Sequence, residues 1–432
     1  MTDNIRQIID SRSMSSFQIL TVSICFMINM LDGFDVLVMA FTANRISSAW
    51  GLDGKSLGLL FSSGLVGMAI GAVFLGRLAD KFGRRTLILA CLCIITLGMF
   101  FSAYTHSVFQ LATMRVLTGT GIGGALATLN ILTAEYSSLR RRGLNISILQ
   151  SGYPIGGIAG GAIAAFLLPQ FGWQSVFLFG ALLSALMLPL AFWCLPESID
   201  YLLARRPARA LEKVNVILAR LKQSPLHKLP PADEQLVEDR GIVSLWAPGL
   251  RAATTLIWLG FFMVMASLYF VLSWTPKLLV TAGLSETQGI SGGMLLQLGG
   301  IAGQFVLGFI SIKFALQKLS IVYMLASALF MCLFALHAEQ LSIALFTGFS
   351  VGFFLFGAIT CLYILGPSLY PAEIRTTGMG WAIGVGRIGA ILSPAITGVL
   401  LDLQWGTPAL YYAFAIPMIV AVLTLFLVRT KT

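Results

Sequence analysis

Two aspartates, Asp32 and Asp35, stand three residues apart in the first long apolar run of the chain. In a helix this spacing puts the two carboxyls on one face, about 4.5 Å apart along the axis and about 60° apart around it. Insertion at the membrane centre costs roughly 2.5–3.5 kcal/mol per aspartate, so two in one span need a hydrated cavity, a cation or a proton. Because like charges this close resist joint ionisation, the pair favours a site that gains and loses a proton. In the competing interpretation, both aspartates lie at the outer water interface of the span.

Two arginines also fall inside apolar runs, Arg115 in the fourth and Arg387 in the eleventh. Arg115 shares its half of the chain with the two aspartates, and we expect it to pair with them as part of a proton switch. Arg387 lies about 11 residues into its run, roughly 17 Å deep at about 1.5 Å per residue, where a lone guanidinium needs an anion. The acidic residues of the second half all lie in loops or at span ends. Arg387 therefore has two candidate partners, the carboxylate of a substrate, gripped by its planar fork, or backbone carbonyls.

Charged residues are rare in this chain. Of its 432 residues, 57% are hydrophobic and 11% are charged, and the mean hydropathy is +0.88. A soluble protein could not bury so much apolar surface, so soluble enzymes, secreted domains and disordered chains are excluded. Twelve apolar runs each approach the length of about 20 residues that crosses a hydrocarbon core. The sequence predicts an all-α membrane protein with twelve transmembrane helices in two pseudo-symmetric six-helix halves.

The net charge of +10 reflects the orientation of the chain in the membrane. With the N-terminus inside, the basic residues gather in cytoplasmic loops, and only Arg45, Lys55 and Lys277 fall in outer loops. This distribution predicts cytoplasmic termini in a bacterial-type inner membrane and argues against nucleic acid as a partner. The first apolar run is too long for the h-region of a signal peptide, so we expect it to remain as the first span.

The sequence offers no chemistry typical of an enzyme. It contains no metal-ligand cluster, nucleophile elbow or phosphate-binding loop, so we expect neither catalysis nor a bound cofactor or metal. All six cysteines fall in apolar runs and are expected to be packing residues rather than disulfides.

The chain divides into an N-terminal six-helix half over 1–195, a central cytoplasmic loop over 196–251 and a C-terminal six-helix half over 252–432. Within the central loop, residues 198–221 have the apolar spacing of helices lying on a membrane surface, although we prefer a solvated linker. The segment 76–85 recurs in degenerate form at 308–317. Parallel repeats of this kind place a binding site near the membrane midplane between the halves.

The sequence Gly-Arg-Leu-Ala-Asp-Lys-Phe-Gly-Arg-Arg at 76–85 resembles the loop motif of the major facilitator superfamily. In that family the motif latches the cytoplasmic ends of helices, which implies a charge network of Asp80, Arg84 and Arg85 around a turn at Gly83. The second copy lacks the aspartate and both arginines, so a latch there is weaker or uses other residues. Further gating salt bridges are expected at cytoplasmic span ends, in the pairs Glu135–Arg140 and Glu373–Arg375.

The string Leu-Asp-Gly-Phe-Asp at 31–35 narrows the resemblance to the aromatic acid:proton symporters of that superfamily. Other matches lie at 196–198, 370–378 and 386–390, and the glycine-rich run after Arg115 is similar to a motif of proton-coupled members. Members of this branch import benzoate-type, hydroxybenzoate-type or related carboxylates, and such a substrate needs apolar and aromatic walls beside its charged clamp. The candidate lining residues are Phe34, Tyr153, Tyr269, Trp274 and Tyr363, with Gln297 and Gln304 as polar partners.

The resemblance implies a proton-coupled symporter that imports an aromatic carboxylate by alternating access, with protons and the lipid bilayer as partners, and we expect a monomer. A muconate-like or aliphatic carboxylate is the alternative substrate. A proton-driven efflux antiporter is a rival, because the glycine series from Gly143 to Gly161 resembles the antiporter motif, with Gly157 at its proline position. A receptor with a transporter fold is a further rival, although the central loop is short for a signalling domain.

Overall fold

The computed structural model describes residues 14–229, 242–247, 250–311, 313–371 and 374–427, apart from five side chains within helices, at positions 77, 80, 242, 243 and 376. Two residues of the predicted latch and gates, the side chain of Asp80 and all of Glu373, lie outside this description. The described residues form fourteen α-helices: α1 Ser16–Trp50, α2 Gly54–Phe82, α3 Arg84–Ser102, α4 Val108–Glu135, α5 Arg142–Phe171, α6 Trp173–Cys194, α7 Ile199–Arg205, α8 Ala210–Arg220, α9 Arg251–Thr281, α10 Glu286–Ile310, α11 Leu316–His337, α12 Leu341–Leu365, α13 Arg375–Asp402 and α14 Thr407–Leu427.

All of these helices except α7 and α8 are long and apolar enough to cross a membrane, which confirms the predicted twelve spans. The helices extend beyond the apolar runs, because their ends are set by capping. The first apolar run covers about 17–40 in the sequence, yet α1 continues to Trp50. It begins at a capping box made by Ser15 and Gln18 and ends at Gly51, whose φ of 61° is accessible to glycine at little cost.

The two halves repeat one packing scheme. In the first half α2 packs on α4, α1 on α5 and α3 on α6; in the second half α10 packs on α12, α9 on α13 and α11 on α14. Glycines allow the tightest of these approaches: a Cβ on Gly123 would collide with the carbonyl oxygen of Met68, and one on Gly352 with that of Leu296. The glycine-rich run after Arg115 therefore serves close helix packing.

The central segment begins with two helices rather than with a solvated linker. Leu202 of α7 and Val214 and Leu218 of α8 are buried in one apolar cluster with side chains from α1, α3 and α4. The apolar spacing of this segment thus forms a packed cover on the first half, an outcome that the abundance of charged residues had obscured.

The halves meet mainly through α2 against α13, α5 against α10 and α1 against α9. We call the end of the bundle that contains Arg45, Gly54 and Glu286 the outer end, following the orientation predicted by the charges, and the end with Arg84 and Glu135 the inner end. Among described residues, the hydrogen bonds and ion pairs that join the two halves lie at the outer end or near the middle. The halves are therefore closed together at the outer end.

Candidate functional site

Asp32 and Asp35 lie near the middle of α1 in the interior of the bundle, each only 1% exposed. The packing of α1 on α5 puts them there. A Cβ on Gly33 would collide with the carbonyl oxygen of Tyr153, so the glycine between the aspartates brings the two backbones into contact. The interior position excludes the outer water interface for both carboxyls.

Asp35 forms a bidentate salt bridge with Arg115 of α4. The Nη1 and Nη2 groups of the arginine donate to the two carboxylate oxygens at 2.9 and 2.5 Å, and Nη2 also donates to the backbone carbonyl of Asp35 at 3.2 Å. The guanidinium lies over the ring of Phe177, 5.8 Å from its centroid. Arg115 is 2% exposed, so both charges are held away from water and depend on each other.

Asp32 has no such partner. Both of its carboxylate oxygens are buried, and neither has a hydrogen-bond donor among the described residues. An ionised carboxylate without a donor is costly in an apolar interior. Asp32 can therefore hold a charge only when water, a cation or a rearranged donor reaches it.

A cavity between the two halves begins at the Asp35–Arg115 pair. It lies between α1, α2, α4 and α9, and its lining includes Asp35, Arg115, Met68, Tyr269 and Leu272. Tyr269 belongs to the C-terminal half, so the ion pair of the first half faces the second half across this cavity. Of the predicted lining residues, Tyr269 is thus next to the proton-switch candidates.

Arg387 lies in the middle of α13 and is half-buried. None of the ion pairs between described residues includes it. Tyr363, on α12, is 40% exposed although it lies within a span, and its ring meets that of Phe261 edge-on with centroids 5.4 Å apart.

Two predicted lining residues have buried polar groups without partners among the described residues. Gln297 of α10 is fully buried, and neither its amide nitrogen nor its amide oxygen has a hydrogen bond to any of them. The hydroxyl of Tyr153 is likewise buried and unbonded within the described part of the chain. In contrast, Gln304 donates to the hydroxyl of Thr360 at 3.2 Å within the second half.

Phe34 and Trp274 do not line an open chamber, contrary to the sequence analysis. Phe34 points into the first half, where it packs against Phe179 and occupies the space left by Gly160 and Gly180. At about 100° per residue, it stands roughly 200° from Asp32 around the helix, so the carboxyl face and the Phe34 face diverge.

Trp274 instead belongs to the closed outer end. It is 1% exposed, donates from Nε1 to the carbonyl of Pro394 at 3.2 Å, and meets the ring of Phe61 edge-on with centroids 5.0 Å apart. Since Phe61 is on α2 of the first half, this ring pair seals the two halves together. The exposure of Trp274 depends on which end is closed, and the sequence carries no signal for that.

The outer end carries further contacts that the sequence analysis missed. Arg45 donates from Nε to Glu286 at 2.6 Å, and Lys277 donates to the side chain of Asn44 at 3.0 Å. Both contacts join the first half to the second. The only available signal was that the basic residues Arg45 and Lys277 break the positive-inside pattern.

The inner end has a charge network around Gly83, whose φ is 99°. Glu197, which follows α6, accepts hydrogen bonds from the backbone N–H groups of Arg84 and Arg85 at 2.7 and 3.0 Å and so caps the start of α3. The Arg84 side chain donates to Ser198 at 2.6 Å. Arg85 donates to the carbonyl of Phe192. The network ties α2, α3 and the segment after α6 within one half.

Arg84 also forms an ion pair with Glu135. The sequence predicts a Glu135–Arg140 pair, so this prediction is wrong. The physical reason is burial: Glu135 is 8% exposed at the end of α4, where the largely buried side chain of Arg84 reaches it, whereas Arg140 and Arg375 are exposed. The expected Glu373–Arg375 pair involves Glu373, outside the described residues.

Comparisons with known proteins agree with this architecture. Residues 22–394 match the Major Facilitator Superfamily. The chain is 35% identical to a gallate transporter of Pseudomonas putida over 434 aligned residues, covering 98% of this chain and 94% of that protein. It is 32% identical to the 4-hydroxybenzoate transporter PcaK of Pseudomonas aeruginosa over 423 aligned residues, covering 97% and 94%.

The fold is also that of solved structures. The inward open conformation of the xylose transporter XylE from E. coli superposes with a TM-score of 0.73 at 18% identity, covering 95% of this chain and 96% of that chain. The twelve membrane helices, the repeated packing of the halves and the sequence match over most of the length all lead to one assignment. The chain is a multi-pass membrane transporter rather than an enzyme, and it belongs to the Major Facilitator Superfamily.

Proposed function

We propose that this transporter is a proton-coupled symporter that imports an aromatic carboxylate across a bacterial inner membrane by alternating access, with both termini in the cytoplasm. The observation that carries the proposal is the contrast between the two aspartates: Asp35 is bound by Arg115, whereas Asp32, one turn away, has no donor among the described residues. Two carboxyls one turn apart, of which only one is paired with a cation, can accommodate one proton with little rearrangement.

The substrate carboxylate is assigned to Arg387. This guanidinium is half-buried in the middle of a span and is not engaged in an ion pair among described residues, so an anionic ligand would supply the charge it needs. Tyr153, Tyr269 and Tyr363 are the proposed aromatic walls, and Tyr269 lines the cavity between the halves. The names of the relatives, gallate and 4-hydroxybenzoate transporters, support a small aromatic acid as the substrate class.

Coupling follows from competition for Arg115. When Asp32 is neutral, Asp35 holds the arginine alone, and the ion pair is the one described above. When Asp32 loses its proton, two carboxylates one turn apart repel each other and compete for one guanidinium, which favours a different arrangement of α1 and α4. Since α1 contacts α9 of the second half, such a rearrangement reaches the interface on which the halves rock.

The glycine series in α5 gives no support to the efflux rival. A Cβ on Gly156 would collide with the carbonyl oxygen of Met30, and one on Gly157 would lie 3.0 Å from the amide nitrogen of Gln297. These glycines serve close approach of α5 to α1 and α10.

The test is uptake of radiolabelled benzoate and hydroxybenzoates into proteoliposomes with an imposed pH gradient, acidic outside. Wild-type protein should accumulate one of these acids only when the gradient is present, and Asp32→Asn should exchange substrate without following the gradient. Accumulation by Asp32→Asn that still tracks the gradient would remove the proton role. Proton-driven loss of the acid from preloaded vesicles would reverse the direction to export.

A further inference from the structure

We infer that Gln297 and the hydroxyl of Tyr153 form a recognition site for a ring hydroxyl, so that the transporter selects hydroxylated aromatic carboxylates over unsubstituted ones. The inference rests on the proposed function, because it concerns the opposite end of the molecule whose carboxylate Arg387 binds. It goes further by assigning the selectivity to two named side chains.

The first step is the state of the Gln297 amide. Its two donors and its acceptor are fully buried, and none has a partner among described residues. Burying a primary amide without hydrogen bonds is unfavourable, and nearly all buried polar groups in folded proteins are bonded. A fixed, unbonded amide of this kind is matched to a group that arrives with the ligand.

The second step is the position of Tyr153 relative to this amide. Tyr153 and Gly157 are one turn apart on α5 and hence on the same face of that helix. A Cβ on Gly157 would stand 3.0 Å from the amide nitrogen of Gln297 and 3.4 Å from its Cγ. The amide therefore lies against the face of α5 that also carries Tyr153, whose hydroxyl is buried and also unbonded among the described residues.

The third step is the chemistry of the missing partner. An amide offers both donors and an acceptor, and a tyrosine hydroxyl can do either, whereas a carboxylate only accepts. A ligand hydroxyl donates one hydrogen bond and accepts others, so its chemistry matches either side chain. The carboxylate is assigned to Arg387 under the proposed function, so the two polar ends of a hydroxylated aromatic acid have separate partners.

The experiment measures the affinity of the full-length transporter in lipid nanodiscs for benzoate, 4-hydroxybenzoate, 3,4-dihydroxybenzoate and 3,4,5-trihydroxybenzoate. Wild-type protein should bind at least one hydroxylated acid about 10- to 100-fold more tightly than benzoate, because losing the hydroxyl leaves the buried groups unbonded. Gln297→Met should bring this ratio close to one, because it weakens binding of the hydroxylated acid much more than binding of benzoate. Tyr153→Phe should lower the ratio in part.

Gln18→Met is the matched control, since Gln18 is a buried glutamine whose amide is bonded, to the carbonyl of Tyr136 at 3.1 Å. It should leave the ratio unchanged. The melting temperature of the ligand-free protein provides a second measurement, which does not depend on ligand binding. Gln297→Met should raise the melting temperature, because it removes an unbonded amide, whereas Gln18→Met should lower it.

Three results would overturn the inference: a wild-type ratio near one, a ratio unchanged by Gln297→Met, or a parallel loss of benzoate and hydroxybenzoate affinity in that variant. Each of these leaves the proposed function in place, because benzoate or its derivatives still bind. Failure of the proposed function is distinct, since wild-type protein would then bind none of the four acids.

Discussion

The carboxylate of Asp402, at the last residue of α13, accepts hydrogen bonds from the backbone N–H of Gly54 at 2.6 Å and of Lys55 at 2.8 Å. A side chain of the second half thus caps the first turn of α2 in the first half. Free N–H groups and the helix dipole make that turn a favourable site for an anion. The cap joins the halves only while the outer end is closed.

Asp402→Asn should weaken the closed outer end. Asparagine keeps an acceptor but loses the charge, which costs about 0.3–1 kcal/mol at a helix N-terminus, so the ratio of outer-open to outer-closed molecules should rise about 2- to 5-fold. Spin labels at the exposed positions Ser48 and Thr287, one in each half near the outer end, would report the change as a longer interlabel distance.

The matched control for this prediction is Asp53→Asn. Asp53 caps the same helix, but its hydrogen bond to the backbone of Ser56 stays within the first half. Hydrogen bonds with Ser56 hold the pKa of Asp53 below its usual value, so it too is charged at neutral pH. An equal lengthening in both variants would contradict the idea that the Asp402 contact links the halves.

Asp32→Asn and Asp35→Asn should both abolish proton coupling but should differ in stability. Asp35→Asn leaves Arg115 as a buried charge without its carboxylate, which costs about 3–5 kcal/mol. Asp32→Asn removes a carboxyl that has no donor and should leave the melting temperature unchanged or higher. Melting curves of the two purified variants test this difference.

A double variant separates charge from packing in that prediction. Adding Arg115→Gln to Asp35→Asn removes the unpaired cation and should recover part of the lost stability. Equal melting temperatures for the two single variants would show that the described pairing does not represent the dominant state of the protein.

Gly33→Ala should disrupt the helix contact that positions the aspartates. Its Cβ would collide with the backbone of Tyr153, which cannot move as a side chain can, and such overpacking costs about 1–3 kcal/mol. Gly384→Ala is the control, because no atom of the neighbouring structure lies within 4 Å of its Cβ. The control should be neutral or slightly stabilising in a thermal melt.

Glu197→Gln should destabilise the first half at the inner end. The change removes a charge that accepts two backbone hydrogen bonds at the start of α3, with an expected loss of about 1–2 kcal/mol. Glu212→Gln affects only an exposed pair with Arg209 at 4.0 Å and should be silent. If the two variants melted alike, Glu197 would have no structural role as a cap.

The parts of this architecture that follow from local chemistry were predictable from the sequence. The spans are set by apolar length, and the Asp35–Arg115 pair follows the expectation that a buried cation and a buried anion in the same half find each other. Helical geometry alone also indicates that Phe34 stands on the opposite side of α1 from Asp32, at about 100° per residue.

The remaining differences depend on information that a single sequence lacks. Whether Trp274 lines an open chamber or packs in the closed outer end depends on the angle between the two halves. The partner of Glu135 depends on how the start of α3 approaches the end of α4, and Arg84 outcompetes Arg140 there by burial. Likewise, the sequence shows Asp402 only as a charge at a helix end, because its role as a cap depends on the position of α2.

The outer closure relies on main-chain atoms for several of its partners. Ser62 donates to the carbonyl of Ile391 at 2.7 Å, and the carboxylate of Asp402 accepts from the backbone N–H groups of Gly54 and Lys55. These backbone groups do not depend on the side chain at their position, so substitution at 391 or 55 leaves them in place. The helices nearly touch at Gly58 and Gly398. A larger side chain at either position should therefore hold the outer end open more effectively than replacement of the polar side chains.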